Sequence, residues 1–226
     1  MQDGASNDES LNFLKKTPAI TESTKDNGIY DAMNKLIERS VGDYILFLNA
    51  GDTLASNESL SVIAKTIKDT PDFIYGDARE ANRNNVQVCS QTEKQKAEND
   101  HYKPARSHHN IALGMFTHHQ AMTYRRDKIK DMRYNEDYTI AADYDFTARF
   151  LQKAETIEYI SEPICVFEPG GISQQKTKLG RQEQFQIRKN LKLCSPAKNY
   201  VITTLQAINM NFRNFAPNLY WTLKQH

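Results

Sequence analysis

Residues 28–52 read GIYDAMNKLIERSVGDYILFLNAGD and contain a helix pattern, a strand pattern and an acid, in that order. Apolar side chains recur at helical spacing in the first half, which predicts an amphipathic helix that ends near Gly42. Residues 44–48 form a nearly continuous apolar run, typical of a strand covered on both faces in a parallel sheet. Asp52 follows this run beside a glycine, where open α/β sheets bind their ligands. The stretch therefore predicts an α/β fold with a ligand site at Asp52.

The same stretch resembles the family 2 glycosyltransferases, inverting nucleotide-sugar enzymes with the GT-A fold. The match to bacterial members that build surface polysaccharides covers Asp26 and residues 28–35, 42–45 and 47–52, with Leu36 where the family has a glycine. The resemblance implies an α/β nucleotide-diphospho-sugar transferase fold, Rossmann-like, in which helices flank a mixed sheet.

The resemblance also implies a domain organisation. Residues 1–193 are expected to form the GT-A domain, and residues 194–226 a basic amphipathic C-terminal tail. Residues 3–8, DGASND, match the loop after the family's second strand, so we expect the domain to be N-terminally truncated and to lack the family's first β–α unit. A misplaced start and a degenerate copy of the enzyme would each account for this departure.

Length and composition exclude several classes of protein. The 226 residues suffice for one large domain, and a net charge of +1 provides no general attraction to nucleic acid. The cysteines Cys89, Cys165 and Cys194 are odd in number and unevenly spaced, which favours reduced thiols in a cytoplasmic protein. The chain has no apolar run near the ~20 residues of a membrane-spanning helix, and its polar start is unlike a signal peptide.

Sugar transfer from a nucleotide makes two chemical demands. The leaving diphosphate gathers negative charge that a divalent cation can offset, and the acceptor hydroxyl must lose a proton to a base. Mn²⁺ or Mg²⁺ prefers oxygen ligands. The resemblance assigns the metal to Asp52, the last acid of a D-x-D-type motif whose first position is Asn49 here. The alternative for Asp52 is a turn former after a strand.

Asp143 is the expected catalytic base, because it matches the second acid of the family's Glu-Asp motif, with Ala142 in place of the first. It lies at the start of a predicted helix, whose N-terminus would lower its pKa. An N-cap role is the alternative interpretation, and the two roles are compatible. Asp145 is the alternative base.

Other candidate residues rest on the resemblance. Those expected on the donor side are Asp3, Asp26, Asp31, Asn34 and Asn49, and the family's counterpart of Asp3 contacts the nucleotide base. His119 is expected to contact the diphosphate or the acceptor, although a single histidine is more often structural. Asp77 follows a predicted strand without an assigned role. Residues 82–110 are polar and predict one strand and then a long loop on the acceptor side.

The C-terminal stretch has a distinctive charge pattern. Residues 184–226 contain six Lys or Arg, no acid and several aromatic residues. This pattern is typical of a surface that lies on an anionic membrane. The alternative is a helix packed on the core with a solvated basic face.

Together these features predict an inverting hexosyltransferase that uses a nucleoside-diphosphate sugar and a glycan or lipid-linked acceptor in surface polysaccharide synthesis. Its expected location is the cytoplasm, with peripheral contact to the inner membrane. One alternative is a non-catalytic remnant or partner subunit without a complete donor pocket. Another is a sugar nucleotidylyltransferase, but the chain shows no glycine-rich basic loop at its start. The motifs of P-loop and dinucleotide-binding proteins are also missing from the sequence.

Overall fold

The computed structural model describes residues 1–6, 9–81 and 100–215. The α-helices of this part are α1 (Ser10–Leu14), α2 (Ile29–Arg39), α3 (Ser59–Thr66), α4 (Arg126–Ile129), α5 (Ala142–Leu151), α6 (Ile172–Gln175), α7 (Thr177–Asn190) and α8 (Pro196–Phe215). The strands are β1 (Gln2–Asp3), β2 (Glu22–Ser23), β3 (Tyr44–Leu46), β4 (Thr53–Leu54), β5 (Phe73–Glu80), β6 (His101–Lys103), β7 (Met122–Arg125) and β8 (Ile157–Phe167). The part of the predicted acceptor-side stretch at 82–99 lies outside the described residues.

A mixed six-stranded sheet forms the centre of the molecule. Its strand order is β3-β7-β5-β8-β4, and β6 pairs with the far end of β5. The long strands β5 and β8 run parallel from Phe73 opposite Ile157 to Glu80 opposite Phe167, while the other pairs in this sheet are antiparallel. A separate parallel pair, β1 and β2, lies outside it. The predicted α/β fold with a mixed sheet flanked by helices is confirmed.

Two apolar clusters cover the two faces of this sheet. The larger joins α2 and α5 to the sheet through Met33, Ile37, Phe73, Tyr124, Phe146 and Phe150, among others. The smaller joins α3 to the opposite face through Ile63, Ile74, Ile164 and Cys165. Burial raises the pKa of Cys165 to about 12, so this free thiol stays protonated. Cys194 is also free, and Cys89 lies outside the described residues.

The stretch at residues 28–52 folds in the predicted order, with two differences. Helix α2 buries Met33 and Ile37 as the apolar stripe predicts, but it ends at Arg39 with Ser40 as C-cap, before Gly42. The following strand β3 has three residues, and its partner β7 is antiparallel, so the expectation of a parallel neighbour is wrong there. A short apolar run reports burial but not the direction of the neighbouring strand, which distant residues decide.

The C-terminal helices α7 and α8 pack against each other through a polar contact. The fully buried Arg188 donates from Nε to Asn199 Oδ1 (2.6 Å) and from a guanidinium NH₂ group to Thr203 Oγ1 (2.9 Å). The outer side of α8 is apolar, with Leu205 and Ile208 60% and 57% exposed. Within the described residues, no helix has the length and apolar character needed to cross a bilayer. Up to residue 215 the tail is thus a helix packed on α7, and its exposed face carries large apolar side chains.

Candidate active site

Asp52 lies in a tight turn just after β3. The Asp52 N–H donates to Asn49 O (3.1 Å), and Gly51 adopts a φ of 94°, a conformation that favours glycine. The Asp52 carboxylate accepts from Gln120 Nε2 at Oδ2 (2.6 Å) and from the Glu168 N–H at Oδ1 (2.8 Å). Burial raises the pKa of Asp52 despite these hydrogen bonds. The carboxylate is therefore held rigidly by two segments far away in sequence.

A second polar group lies beside Asp52 at the end of β5. Glu80 accepts from Lys103 Nζ (2.6 Å) and from His118 Nε2 (3.0 Å), and the His118 ring stacks on Phe167 with centroids 4.4 Å apart. The hydrogen bond from His118, followed by those from Lys103, lowers the pKa of Glu80 to about 2. Burial lowers the pKa of His118, and any positive charge on His118 lowers the pKa of Asp52. His118 thus interacts with the carboxylate of Asp52.

The oxygen ligands at Asp52 fit a divalent cation whose remaining ligands come from a bound phosphate group. Within the described part of the chain, each Asp52 oxygen accepts one hydrogen bond, which leaves a lone pair on each oxygen for a cation, and the negative charge of Glu168 acts on the same carboxylate. Among the described residues, no group of three or more His, Cys, Asp or Glu is arranged to hold a metal alone. A single carboxylate plus phosphate oxygens is a common way to bind Mg²⁺ or a similar hard cation.

Asp143 is the second residue of α5, whose N-cap is Ala141, so the N-cap interpretation of Asp143 is wrong. Its Oδ1 accepts from the Tyr144 N–H (2.7 Å). The residue retains some solvent access, but protein atoms surround the carboxylate, and this burial raises the pKa of Asp143 to about 6. The lowering expected from the helix N-terminus is present in two backbone hydrogen bonds, but burial outweighs it.

Three tyrosines share the surroundings of Asp143, since its charge contributes to the raised pKa values of Tyr30, Tyr124 and Tyr134. Tyr134 stacks between Tyr30 (5.7 Å) and Phe146 (4.2 Å). Its hydroxyl lies 3.0 Å from His119 Nε2.

A short chain of contacts connects the two candidate carboxylates. Tyr134, beside Asp143, contacts His119, and the next residue, Gln120, donates to Asp52. The buried side chains of Tyr134, His119 and Gln120 therefore link the surroundings of Asp143 to Asp52.

His119 is part of the interior. It is 5% exposed, and burial lowers its pKa to about 4, so the imidazole is neutral. Its Nδ1 is buried without a hydrogen-bond partner among the described residues. In this position His119 supports Phe47 and Tyr134, with ring centroids at 5.4 and 5.8 Å, and it carries no positive charge for a diphosphate.

Two predicted donor residues meet at the β1–β2 pair. Asp3 accepts from Ser23 Oγ (2.6 Å) and from Ser6 Oγ and N–H (2.6 and 3.0 Å), and these hydrogen bonds lower its pKa. Asp26 lies against Gly4, where an added Cβ would come within 2.7 Å of Asp26 Oδ2. The absence of a side chain at Gly4 thus allows the two acidic segments to approach each other.

Asn34 and Asp31, also predicted on the donor side, bind protein atoms. Asn34 accepts from the Tyr134 N–H (2.7 Å) and donates to Tyr134 O (3.1 Å), so it fixes the backbone under Tyr134. Asp31 accepts from the Asn27 N–H (2.9 Å) and from Lys35 Nζ (3.1 Å). Both stabilise the surroundings of α2.

The alternative base and the unassigned acid also have protein partners. Asp145 accepts from Arg149 Nε (2.8 Å) one turn along α5, which leaves its carboxylate in an ion pair. Asp77 accepts from Tyr159 Oη (2.7 Å), the Ala105 N–H (2.7 Å) and the Tyr102 hydroxyl. Asp77 therefore attaches the segment around β6 to the sheet.

Sequence patterns missed the residues that hold the two carboxylates in place. Glu183 of α7 accepts from the backbone N–H groups of Thr139, Ile140 and Ala141, each at 2.8 Å, just before α5. The Glu168 N–H performs a similar task for Asp52. Glu183 belongs to no recognisable local motif.

Comparison with known proteins places this geometry in one family. The model of glycosyl transferase family 2 matches residues 2–154, more than half of the chain. The PGL/p-HBAD biosynthesis glycosyltransferases of Mycobacterium tuberculosis (strain ATCC 25618 / H37Rv) and Mycobacterium bovis (strain ATCC BAA-935 / AF2122/97) are 29% identical over 182 residues, which cover 76% of this chain and 65% of theirs. The chain thus spans slightly less than two thirds of the length of these curated relatives.

Solved structures agree in fold. S. aureus TarS 1-349 in complex with UDP-GlcNAc superimposes with a TM-score of 0.63 at 17% identity, over 95% of this chain and 64% of that one. The mannosyltransferase PcManGT from Pyrobaculum calidifontis, in complex with GDP-Man and Mn²⁺, gives 0.58 at 12% identity, over 97% and 61%. The fold is therefore GT-A. With this fold and a family match over more than half of its length, the chain belongs to glycosyl transferase family 2.

Proposed function

We propose that the chain transfers a hexose from a nucleoside-diphosphate sugar to a hydroxyl of a glycan or lipid-linked acceptor, with inversion at the anomeric carbon, in surface polysaccharide synthesis. The observation that carries this proposal is the placement of Asp143 in the first turn of α5, as a largely enclosed carboxylate whose pKa burial raises to about 6. A base with a pKa near the working pH is well suited to proton abstraction.

The reaction is a single displacement. The acceptor oxygen attacks the anomeric carbon on the face opposite the diphosphate, and the bond from that carbon to the diphosphate oxygen breaks. Asp143 takes the acceptor proton, and the diphosphate leaves with the bonding electrons. Asp145 is a poorer base because Arg149 already occupies its carboxylate.

Asp52 is proposed to hold Mn²⁺ or Mg²⁺ on the diphosphate, with Asn49 at the other end of the same turn. When bound, the cation offsets the charge that develops on the leaving group. Gln120 and the Glu168 N–H keep the carboxylate oriented for this task. The similarity in fold to a GDP-Man and Mn²⁺ complex supports a metal-dependent donor site.

The nucleotide end of the donor is proposed to lie at Asp3 and Asp26. Serine hydroxyls hold Asp3 ionised, and an ionised carboxylate accepts the N–H groups of a nucleotide base. Asn34 and His119 are proposed to contribute indirectly, through contacts that hold Tyr134 near Asp143.

The chain is proposed to work in the cytoplasm, with α8 resting on the inner membrane face. The outer side of this helix carries the exposed Val201, Leu205 and Ile208, and residues 184–226 include six basic residues and no acid. Apolar side chains with a basic surround are typical of helices that lie on anionic lipid. This location would bring a lipid-linked acceptor to the enzyme.

Binding and product analysis test the proposal. Calorimetry should show binding of UDP or GDP that requires Mn²⁺, and incubation with UDP- or GDP-hexoses and bacterial lipid-linked glycans should give a product of inverted configuration by proton NMR. Product with retained configuration would refute the mechanism. Failure of both nucleotides to bind in the presence of Mn²⁺ would favour a non-catalytic member of the family.

A further inference from the structure

Glu183 binds the backbone segment that leads into α5. It is 8% exposed, and its two carboxylate oxygens accept three N–H groups, at Thr139, Ile140 and Ala141, each at 2.8 Å. Hydrogen bonds from N–H groups to a carboxylate are roughly twice as strong as those between neutral groups. Helix α5 has no side-chain cap of its own at Ala141. A residue of another helix therefore fixes the start of α5, two residues before Asp143.

The same backbone is held from a second direction. Tyr30 of α2 donates its hydroxyl to Ile140 O (2.8 Å), so both the donor and the acceptor of Ile140 are engaged. Helix α7 also approaches closely, since a Cβ on Gly180 would lie 3.0 Å from Ile140 Cγ2. The position of the segment 139–141, and with it the direction in which Asp143 points, is determined by α2 and α7 together.

The charge of Glu183 also acts on Asp143. Burial is the main cause of the raised pKa of Asp143, and the negative charge of Glu183 raises it further. The other titratable groups that face Asp143 are the hydroxyls of Tyr30, Tyr124 and Tyr134, and Arg149 lies near the last of these. Glu183 is the acid in this set. Removing its negative charge should therefore lower the pKa of Asp143.

We propose that Glu183 is a positioning residue for the proposed base Asp143, fixing the entry to α5 and supplying a negative charge beside the carboxylate. The inference rests on the proposed function. Residues 2–154 match the family model, so Glu183 lies beyond the matched region.

The test compares Glu183→Gln with Glu158→Gln, which removes one negative charge from an exposed position on β8. Glutamine replaces one acceptor oxygen with an NH₂ group that faces the backbone N–H groups. We expect kcat to fall about 10- to 100-fold in Glu183→Gln with the donor KM within about twofold, because a displaced base slows the chemical step more than binding. The acidic limb of the pH–rate profile should move to lower pH, because loss of a negative neighbour lowers the pKa of Asp143.

Two readouts do not depend on turnover. In Glu183→Gln the amide protons of Ile140 and Ala141 should exchange at least about tenfold faster, as expected for local opening. The Asp143 carboxyl carbon should titrate at lower pH by NMR. Glu158→Gln should change neither. If Glu183→Gln does not fold, Glu183→Asp, which keeps the charge but shortens the reach, should lower kcat without moving the acidic limb.

The outcomes separate this inference from the proposed function. A wild-type chain that binds no nucleotide and transfers no sugar refutes the function, and the NMR measurements then decide the role of Glu183 alone. An active wild type with unchanged kcat and an unchanged acidic limb in Glu183→Gln overturns the inference. Wild-type kcat in Glu183→Asp would do the same.

Discussion

Replacing Asp143 by asparagine should abolish transfer and, at the same time, stabilise the folded protein above pH 6. The reason is that the folded state holds this carboxyl with a pKa of about 6, against an ordinary value of 3.8. Ionising the buried group is therefore harder in the folded than in the unfolded chain. Asparagine keeps the oxygen that accepts from the Tyr144 N–H but cannot ionise.

The magnitude follows from linkage. Below pH 3.8 the carboxyl is protonated in both states and has no pH-dependent effect on stability. Between 3.8 and 6 the unfolded chain ionises first, so the penalty grows, and above pH 6 it is complete. A shift of about 2 units corresponds to about 3 kcal/mol at pH 8 and about 1 kcal/mol at pH 4.5. These are upper figures, since the residue retains some solvent access.

The assay is urea unfolding of wild type and Asp143→Asn at pH 8 and pH 4.5. The stability difference between the two proteins should favour the variant by up to about 2 kcal/mol more at pH 8 than at pH 4.5. Comparing the two pH values cancels any constant cost of the buried amide. Asp145→Asn is the matched control, and it should destabilise because it removes the partner of Arg149.

Two results would refute this reasoning. If the stability gain of Asp143→Asn were the same at both pH values, the carboxyl would not have a raised pKa in the folded state. If the variant transferred sugar at the wild-type rate, Asp143 would not be the base, whatever its pKa.

Three further predictions test the site and the membrane surface. The kcat/KM of the wild type should rise about tenfold per pH unit below pH 6 and level off above it, because the proposed base must be ionised. A pH–rate profile without this acidic limb would contradict the assignment of Asp143 as the base. Asp52→Asn should weaken Mn²⁺-dependent binding of UDP or GDP at least about tenfold by calorimetry. Thermal unfolding should stay cooperative, because asparagine can still accept from the Glu168 N–H. Equal affinity with and without Mn²⁺ in the wild type would contradict a metal-binding role for Asp52. A double change of Leu205→Glu and Ile208→Glu should reduce sedimentation of the protein with anionic phosphatidylglycerol vesicles. The control Leu60→Glu, which changes an exposed leucine on α3, should not reduce it. Equal sedimentation of both variants would reject α8 as the membrane-binding surface.

Local sequence patterns were sufficient for the parts of the fold that single elements determine. The stripe of Met33 and Ile37 defined α2, and the acid after β3 defined the ligand turn, because each depends on neighbours within a few residues. The mixed sheet followed from the resemblance. The antiparallel partner of β3 was not predicted correctly, since it lies about 80 positions later in the chain. The end of α2 was also not predicted correctly, because the helix ends at Arg39, before the expected Gly42.

The electrostatics of the site were harder to predict for a related reason. A carboxylate at a helix N-terminus is expected to have a lowered pKa, and the structure does contain those hydrogen bonds to Asp143. Burial reverses the net direction. Tyr30, Tyr124 and Tyr134 are near enough for the charge of Asp143 to act on them. Tyr30 belongs to α2, more than 100 positions before Asp143, so no local pattern could indicate the degree of burial.

The contacts that orient Asp52 and the start of α5 come from residues still farther along the chain. Asp52 is held by Gln120 and by Glu168, which lie 68 and 116 positions away, and the entry to α5 is held by Glu183, about 43 positions away. Strand β8 supplies the parallel partner of β5 along its whole length, and it also lies after residue 154. The region that carries the family pattern thus contains the reactive groups, but their orientation depends on residues 157–190. Variation in that segment can therefore alter the reactivity of Asp52 and Asp143 while leaving the motifs that contain these two acids unchanged.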